Sequence, residues 1–304
     1  MEFRGTYTAL VTPFLDDAQR SIDWAAFDTF VDAQIAGNVA GIVPCGTTGE
    51  CPTLSDSETI ELIARSVKLA ASSATGSGRG RVQVIGGTGS NSTHHAIELS
   101  RAAEKAGVDA VMIVVPYYNK PTQEGLVGHF TAVADAVKCP VVVYNVPSRT
   151  VTDLSADALV AICEKSKNVV ACKEATGNVL RAQELARKLG SRLQVLCGDD
   201  ALTLPMISVG AKGVISVTSN VLPKEVSAAT NAALGPDREL AKKLHFALLP
   251  VHEIMFVESN PSPAKHALAR TGAIKNVVRQ PHVVVTEAAA KKIDATLAAY
   301  HAGR

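Results

Sequence analysis

The sequence has little of several features that would place it in a specialised class of protein. Its formal net charge is only +1 over 304 residues, so nothing favours binding to nucleic acid or to an acidic membrane surface. No apolar run approaches the ~20 residues that cross a bilayer. The first residues lack the basic end and apolar stretch of a signal peptide. We therefore expect a cytoplasmic protein.

Cysteine pairs and phosphate-binding loops are also missing. None of the six cysteines forms a Cys-x-x-Cys pair, and four lie in or beside apolar runs, where free cysteine behaves as a small hydrophobe. This favours a reduced cytoplasmic protein without disulfides. No Gly-x-Gly-x-x-Gly follows the first strand-like segment, and Gly-Gly-Thr-Gly at 86–89 has the wrong spacing. A doubly wound dinucleotide-binding sheet is thereby disfavoured.

Apolar residues, in contrast, are abundant. Hydrophobic residues make up 47% of the chain and charged residues 19%, which is enough for a large buried core. Short strand-like segments recur at a steady interval, and most are continuous apolar runs, which is typical of parallel strands buried on both faces. These segments are residues 6–14, 41–45, 81–86, 110–115, 140–146, 169–175, 193–197 and 213–217.

Segments with the helical spacing of apolar residues separate the strand-like runs. They are residues 22–35, 56–71, 93–106, 123–137, 153–165, 179–189 and 201–209. This alternation predicts an α/β protein, specifically a (β/α)8 TIM barrel with a C-terminal helical appendage.

The appendage is predicted because the strand signal stops after Val221. Helical patterns continue over residues 225–233, 237–257, 263–269 and 286–299, and Asp237 is a candidate N-cap after Gly235 and Pro236. We expect a catalytic barrel domain at 1–235 and a C-terminal helical domain at 236–304. The Ser- and Gly-rich stretch 72–80 is predicted to be a flexible surface loop.

Lys173 is the residue on which the chemistry is expected to depend. It stands in the middle of the apolar run 169–176. A cation in an apolar strand is costly unless it is paired or has lost its proton. Desolvation favours the neutral amine, a nucleophile that can form a Schiff base with a ketone. The alternative is a lysine whose head reaches water along its own stem.

Polar residues are concentrated at the predicted carboxyl ends of the strands, where a TIM barrel builds its site. The second strand ends in Gly-Thr-Thr-Gly-Glu at 46–50, whose hydroxyls and approachable amides suit a carboxylate. An ordinary turn explains this loop as well. The fourth strand ends near Tyr117 and Tyr118 and the fifth at Tyr144. These tyrosines can pass protons, or they can be core residues with satisfied hydroxyls.

Charged residues follow the fifth and seventh strands. Arg149 offers a planar fork to a substrate carboxylate, or it forms a surface ion pair. Asp199 and Asp200 follow Gly198 and are either helix caps or site residues.

Together and in this order, these motifs resemble those of the dihydrodipicolinate synthases, within the N-acetylneuraminate lyase superfamily of class I aldolases. The resemblance runs from Gly5 to about Pro263. Thr47 and Arg149 match the synthases, whereas sialic-acid lyases typically have serine at the first position of the threonine pair. The resemblance is carried by residues 9–14, Gly-Thr-Thr-Gly-Glu at 46–50, Pro-Tyr-Tyr-Asn-Lys-Pro at 116–121, Tyr-Asn-Val-Pro-Ser-Arg-Thr at 144–150, Cys-Lys-Glu at 172–174, Gly-Asp-Asp at 198–200 and residues 213–218.

The resemblance implies four catalytic residues. Lys173 would form the Schiff base with pyruvate, and Tyr144 would be the central acid and base and would orient the imine. The Thr48 hydroxyl would join Tyr144 to Tyr118 in a proton relay. Tyr118 would reach the site of a neighbouring subunit across a tight dimer interface.

The resemblance also implies how substrates bind. Thr47 and Thr48 would lie near the pyruvate carboxylate, and Arg149 would bind the carboxylate of L-aspartate 4-semialdehyde. Gly198 and the backbone carbonyl of Ile215 would line the pyruvate end. The product would be 4-hydroxy-tetrahydrodipicolinate, on the route to diaminopimelate and lysine, and the implied assembly is a homotetramer built as a dimer of dimers.

No metal or organic cofactor is required for this chemistry, because the protonated imine itself withdraws electrons from the substrate. The histidines do not indicate a metal aldolase. His94 and His95 are adjacent on a predicted helix and point in different directions. His94 and Glu98 are one turn apart and could bind a cation, but an exposed helix face explains them more simply.

Two alternatives remain at this point. One is another pyruvate-dependent aldolase of the same superfamily, such as a keto-deoxy-sugar-acid aldolase or a 4-hydroxy-2-oxoglutarate aldolase, against which Arg149 and the double threonine speak. The other is a binding protein without activity, which would have no use for an imine-forming lysine. Fold alone does not separate them.

The resemblance bears on regulation as well. In the lysine-sensitive bacterial synthases, two histidines follow the Gly-Thr-Thr-Gly-Glu loop and a glutamate follows the Gly-Thr-Gly segment. Asp56, Thr59 and His95 stand at the corresponding positions here. His95 is neutral or cationic near pH 7 and cannot attract the ligand's ammonium group as a glutamate would. We therefore predict weak or absent feedback inhibition by lysine.

Overall fold

Eight parallel strands close into a barrel in a computed structural model that describes residues 1–72 and 81–303. Each strand pairs with the next along the chain, and the last pairs with the first, so the predicted TIM barrel is confirmed. Most of the predicted flexible loop at 72–80 lies outside the described residues. The strands are β1 (Gly5–Ala9), β2 (Gly41–Val43), β3 (Gln83–Gly87), β4 (Ala110–Val114), β5 (Val141–Asn145), β6 (Val169–Glu174), β7 (Gln194–Cys197) and β8 (Gly213–Ser216).

Helices follow the strands as predicted, and further helices form the appendage. Most begin at a side chain that accepts a hydrogen bond from the first turn; Asp237, for example, accepts one from Leu240 N at 2.9 Å, which confirms it as an N-cap. The helices are α1 (Trp24–Ala36), α2 (Asp56–Ser72), α3 (Thr93–Ala106), α4 (Gln123–Ala136), α5 (Pro147–Thr150), α6 (Ala156–Lys165), α7 (Val179–Leu189), α8 (Thr203–Ser208), α9 (Pro223–Leu234), α10 (Arg238–Ile254), α11 (Ser262–Arg270) and α12 (Glu287–Ala302).

The first strand is shorter than the predicted segment 6–14. It ends at Ala9, and the following residues cross the mouth of the barrel instead. The Thr12 hydroxyl donates to the carbonyl of Gly49 at 2.8 Å, and Phe14 makes only an isolated antiparallel bridge with Ile22. Pro13 has no N–H to offer a neighbouring strand. The apolar run continues because it packs against the loop after β2 rather than because it pairs in the sheet.

Side chains fill the amino-terminal end of the barrel. Phe3 and Tyr7 are fully buried there, and the interior above them contains residues such as Val142 and Ile215. Gly41 leaves room for the Tyr7 ring, because a Cβ at this position would come within 2.3 Å of it. Polar side chains gather at the other end of the barrel, at the carboxyl ends of the strands.

The appendage packs on the last barrel helices. Helix α10 contacts α9, and α12 contacts α10 and α11. Helix α9 follows β8 and completes the barrel, so a division near residue 235 agrees with the order of elements. The two domains themselves stay a prediction. Within residues 1–72 and 81–303, no helix is long and apolar enough to cross a membrane.

Candidate active site

Lys173 lies near the carboxyl end of β6 with its side chain inside the barrel. Side chains alternate along a strand: Ala171 belongs to the interior of the barrel and Cys172 to the layer between strands and helices. Lys173 is 6% exposed, and the sheet register pairs it with Tyr144 on β5. Its Nζ lies 4.2 Å from the centroid of the Tyr144 ring. The lysine is therefore buried, and the alternative of a head that reaches open water is wrong.

A cavity of about 210 Å³ opens in front of this lysine. Six of the eight predicted site residues line it, and Tyr118 and Ile215 do not. Ile215 lies deeper, in the barrel interior, and is 1% exposed. The lining residues are Thr47, Thr48, Tyr144, Val146, Ser148, Arg149, Lys173, Ala175, Gly198, Asp199, Val217, Phe256 and Asn260.

The two threonines are carried by a short 3₁₀ turn, Thr47–Gly49, directly after β2. Thr47 is half-buried and Thr48 is 3% exposed. The Thr48 hydroxyl oxygen accepts a hydrogen bond from Nδ2 of Asn260 at 3.0 Å. The turn ends at Glu50, which adopts a left-handed backbone conformation with φ 57°. This loop brings two hydroxyls and their amides to the cavity wall, as a carboxylate-binding site needs.

A buried ion pair holds the end of this loop. Glu50 and Lys265 are each 0% exposed, and Lys265 Nζ donates to a carboxylate oxygen of Glu50 and to the carbonyl of Val277 at 2.8 Å. The other oxygen of Glu50 accepts from the backbone N–H of Arg279 at 2.9 Å. Burial lowers the pKa of Lys265 to about 8, and the Glu50 carboxylate opposes this shift. The appendage is thus tied to the threonine loop.

Arg149 lies at the mouth of the cavity on α5, a single helical turn that the sequence analysis did not predict. Its side chain is exposed, and the turn that carries it is closed by hydrogen bonds from Arg149 N and Thr150 N to the carbonyl of Val146. Arg149 also lines a second cavity of about 420 Å³ beside the first. A planar cation at the entrance can hold the carboxylate of a second substrate.

Tyr118 does not reach the cavity of its own chain. It is 88% exposed, and its φ of 72° places a bulky residue in the left-handed region, where it is uncommon. The loop is braced by Asn91, whose Nδ2 donates to the carbonyl of Tyr117 at 3.2 Å, and by Asn119. The structure thus places Tyr118 outside the cavity of its own chain, and its role at a neighbouring molecule stays a prediction.

The aspartates after β7 differ in what they contact. Asp199 lines the cavity and also accepts from Ala201 N at 3.1 Å, and burial raises the pKa of its carboxyl. Asp200 is buried and binds Ser216 and the N–H of Val217 at 2.8 Å, so it fixes β8 rather than facing the cavity. Gly198 allows the end of β7 to pack closely against the end of β6, since a Cβ at this position would lie 2.5 Å from the Cβ of Ala175.

Other nucleophiles and metal ligands do not compete with Lys173 in the described part of the chain. No group of three or more His, Cys, Asp or Glu residues there could hold a metal ion. His94 Nδ1 and Glu98 lie 3.3 Å apart on an exposed helix face, as the simpler interpretation expected. Burial raises the pKa of the Cys45 and Cys172 thiols, which keeps them in the unreactive protonated form.

Two residues of the cavity wall, Phe256 and Asn260, were not predicted as site residues from the sequence; they lie between α10 and α11. Phe256 is 44% exposed and Asn260 is 3% exposed. Phe256 fell inside the predicted helical segment 237–257, but α10 ends at Ile254, so Phe256 lies in the irregular connection that follows. Asn260 lies in the same connection, which has no periodicity and is far along the chain from the strand ends.

Fold and cavity together define a class of enzyme, the (β/α)8-barrel class I aldolases, with a buried strand lysine facing a small polar cavity. The chain belongs to the dihydrodipicolinate synthetase family, whose model matches residues 2–300. It is 56% identical over 289 residues to the 4-hydroxy-tetrahydrodipicolinate synthase of Sorangium cellulosum (strain So ce56), covering 95% of this chain and 93% of the relative.

Solved structures of dihydrodipicolinate synthases support the assignment to this family. The 4-hydroxy-tetrahydrodipicolinate synthase of Methylacidiphilum fumariolicum SolV superposes with a TM-score of 0.94 at 41% identity, covering 99% of this chain and 97% of that one. The chloride-inhibited dihydrodipicolinate synthase of Acinetobacter baumannii, complexed with pyruvate, superposes with a TM-score of 0.92 at 40% identity, covering 98% and 99%.

Proposed function

We propose that this chain is a lyase that condenses pyruvate with L-aspartate 4-semialdehyde through a Schiff base, as the 4-hydroxy-tetrahydrodipicolinate synthases do. One observation carries the proposal: the amine of Lys173 is buried beside the Tyr144 ring in a cavity shared with Thr48 and Arg149. The pyruvate complex of the Acinetobacter relative supports the choice of first substrate.

Lys173 begins the reaction. Its Nζ attacks the ketone carbon of pyruvate, and the ketone oxygen leaves as water once it has taken up protons. The resulting imine is protonated and withdraws electrons, so the methyl group of pyruvate loses a proton and an enamine forms. The enamine carbon attacks the aldehyde carbon of the second substrate, whose amino group then displaces Lys173 from the imine carbon and closes the ring.

The cavity wall supplies the other parts of the proposed mechanism. Tyr144 gives and takes the protons in this mechanism, and the sheet register places it beside Lys173, whose amine lies over the Tyr144 ring. Thr48 passes protons between Tyr144 and Tyr118. The loop that carries Thr47 binds the pyruvate carboxylate, while Gly198 and the carbonyl of Ile215 lie at the pyruvate end.

The assay that tests this proposal compares aldehydes at saturating pyruvate. We expect turnover with L-aspartate 4-semialdehyde to exceed turnover with glyoxylate and with sugar-derived aldehydes. A preference for either of the others would assign the chain to a different aldolase of the superfamily. The measurement is the rate of pyruvate consumption with each aldehyde, and a reductase for the cyclic product identifies the product of the reaction with L-aspartate 4-semialdehyde.

Replacing Arg149 with Ala is expected to weaken use of the second substrate selectively. Loss of a bidentate charged contact costs on the order of 1.5–3 kcal/mol, or about 10- to 150-fold in kcat/KM for the aldehyde. The rate at which borohydride traps pyruvate should change little. Arg149→Lys keeps the charge without the fork and should give an intermediate loss. An equal loss in pyruvate trapping would instead show that Arg149 serves the first substrate or the fold.

The proposed assembly is a homotetramer, a dimer of dimers, in which Tyr118 completes the site of a partner. Its 88% exposure and its distance from the cavity of its own chain support this arrangement. The free cysteines support the proposed cytoplasmic location, because reduced thiols persist there.

Mixing two inactive variants tests the sharing of Tyr118. Tyr118→Phe removes the proton-bearing hydroxyl and Lys173→Ala removes the nucleophile, so each homodimer should be nearly inactive. A mixed dimer contains one site with both residues intact, and we expect activity to return after subunit exchange. Exchange is confirmed with two affinity tags, and unmixed samples are the control. Confirmed exchange without recovered activity would refute the shared site.

The second cavity is the candidate site for inhibition by L-lysine, and we expect this inhibition to be weak or absent. Asp56, Thr59 and His95 line this cavity, and His95 Nε2 lies 2.9 Å from Asp56 Oδ1. The carboxylate is therefore already partnered and its charge is offset when His95 is protonated, which leaves little attraction for an ammonium group. L-Lysine should be titrated into the forward reaction at low and at saturating pyruvate. Strong inhibition at submillimolar lysine would contradict the prediction.

A further inference from the structure

Asn260 links the helical appendage to the centre of the candidate site. It lies between α10 and α11, is 3% exposed and lines the same cavity as Lys173. Its Nδ2 donates to the hydroxyl oxygen of Thr48 at 3.0 Å, although 212 positions separate the two residues in the chain. This is a direct contact between a buried amide and a hydroxyl that the proposed mechanism uses.

The other end of the same amide has no protein partner among the described residues. Oδ1 of Asn260 is buried, and within the described residues no donor reaches it. An unpaired buried carbonyl oxygen is costly, and such groups in native proteins call for an explanation. Within the described residues, the side-chain hydrogen bond that this amide makes is the one that its N–H group donates to Thr48.

The donated bond decides what the Thr48 hydroxyl can do. A hydroxyl has one hydrogen to donate and two lone pairs that accept. Because Oγ1 accepts from Asn260, the single hydrogen of Thr48 stays available for a different acceptor. The cavity places Tyr144 and any bound carboxylate among the candidates. A carboxylate or carbonyl oxygen in place of the amide nitrogen would draw that hydrogen away from the cavity.

We propose that Asn260 is a positioning residue that acts through Thr48: by donating to its hydroxyl, it directs the Thr48 hydrogen into the cavity for the proton relay. This inference rests on the proposed Schiff-base function. The appendage thereby sets the direction of a hydrogen bond inside the barrel. The fixed position of the loop supports this role, because Lys265 on α11 holds Glu50 at the end of the same turn and Thr12 holds Gly49.

Asn260→Asp is the decisive variant, because it keeps the shape and replaces the donor by an acceptor. The Thr48 hydroxyl would then donate to the new carboxylate and turn away from the cavity. We expect kcat to fall about tenfold or more, equivalent to ~1.4 kcal/mol, with a smaller change in KM for pyruvate. Adding Asn260→Asp to Thr48→Val should cost little more, since Asn260 acts only through the hydroxyl that Thr48→Val removes.

The pH dependence gives a second readout that a purely structural role would not produce. Protonation would make the new carboxyl a donor again, so the deficit of Asn260→Asp relative to wild type should shrink as pH falls through the pKa of that carboxyl, which burial raises. Ser262→Ala is the matched control: it removes a buried hydroxyl at the start of α11 that donates to the carbonyl of Val283 at 2.7 Å. Its effect should add to that of Thr48→Val and show no such pH trend.

The outcomes separate this inference from the proposed function. All variants are also compared by the rate of borohydride trapping with pyruvate alone, which needs no second substrate. If the wild-type chain traps pyruvate but does not use aspartate semialdehyde, the proposed function fails and the same cycle is evaluated on trapping. Additive losses for Asn260→Asp and Thr48→Val would overturn the role of Asn260. If Asn260→Asp does not fold, Asn260→Ala is combined with Thr48→Val in its place. Additive losses in kcat for these two changes would likewise overturn the role of Asn260.

Discussion

Lys173→Ala should abolish the condensation, with kcat falling by roughly 10⁴-fold or more, the scale seen when a covalent nucleophile is removed. The physical reason is that no imine forms, so the methyl proton of pyruvate is not activated and the enamine never appears. The fold should survive, because in the described residues Lys173 forms no ion pair that would leave a buried charge behind. The measurements are kcat, the circular dichroism spectrum and the adduct formed with pyruvate and borohydride.

Lys120→Ala is the matched control for that experiment. Lys120 follows the tyrosine pair on the loop after β4 and is exposed, so its loss should leave trapping by Lys173 intact. Peptide mapping of the reduced wild-type adduct should place it on Lys173. An adduct on Lys120 or Lys212, or loss of activity with a chelator and no trapping, would contradict the Schiff-base mechanism.

The barrel could be predicted from the sequence because its signals are local. Continuous apolar runs mark parallel strands, and caps such as Asp237 mark helix starts within four residues of the groups they bind. The predicted end of β1 was wrong, since residues 10–14 are apolar for packing at the barrel mouth and not for pairing. Helix α5 was missed because a single turn has no periodicity to detect.

The candidate site was predictable only where its residues follow strands. Lys173 and Tyr144 alternate correctly with their neighbours, so their inward direction follows from the period of a strand. Asn260 and Lys265 could not be found in this way. They contact residues 212 and 215 positions away, and an apolar period within one segment carries no information about such partners. What the appendage contributes to the site is visible only in three dimensions.

The buried pair of Lys265 and Glu50 is one contribution of the appendage to the site, and its effect on stability has a definite pH dependence. Burial lowers the pKa of Lys265 to about 8 from its ordinary 10.5. Between these values the unfolded chain binds more protons at this residue than the folded chain does. Stability due to Lys265 therefore rises as pH increases from about 8 to 10.5. A chain with Met at this position should lack that rise.

Lys265→Met itself is expected to destabilise the protein by ~3–5 kcal/mol near pH 7, because it leaves the fully buried carboxylate of Glu50 without its cation. The urea midpoint at a fixed protein concentration measures the loss. Lys291→Met is the control, since Lys291 and Glu287 form an exposed pair within one helix, worth ~1 kcal/mol or less.

The double variant Lys265→Met with Glu50→Gln decides whether the unpaired charge is the cause. The glutamine keeps the shape of Glu50 and can still accept from the N–H of Arg279, so no buried charge remains unpaired. We expect the double variant to recover most of the stability lost in Lys265→Met, since a neutral pair avoids the desolvation that isolated charges suffer. A double variant as unstable as Lys265→Met would show instead that the lysine ammonium group itself matters, through its hydrogen bond to the carbonyl of Val277 and its position over the Phe14 ring, where Nζ lies 4.1 Å from the centroid. Recovered stability with activity still low would place the role of the ion pair in holding the turn that carries Thr48.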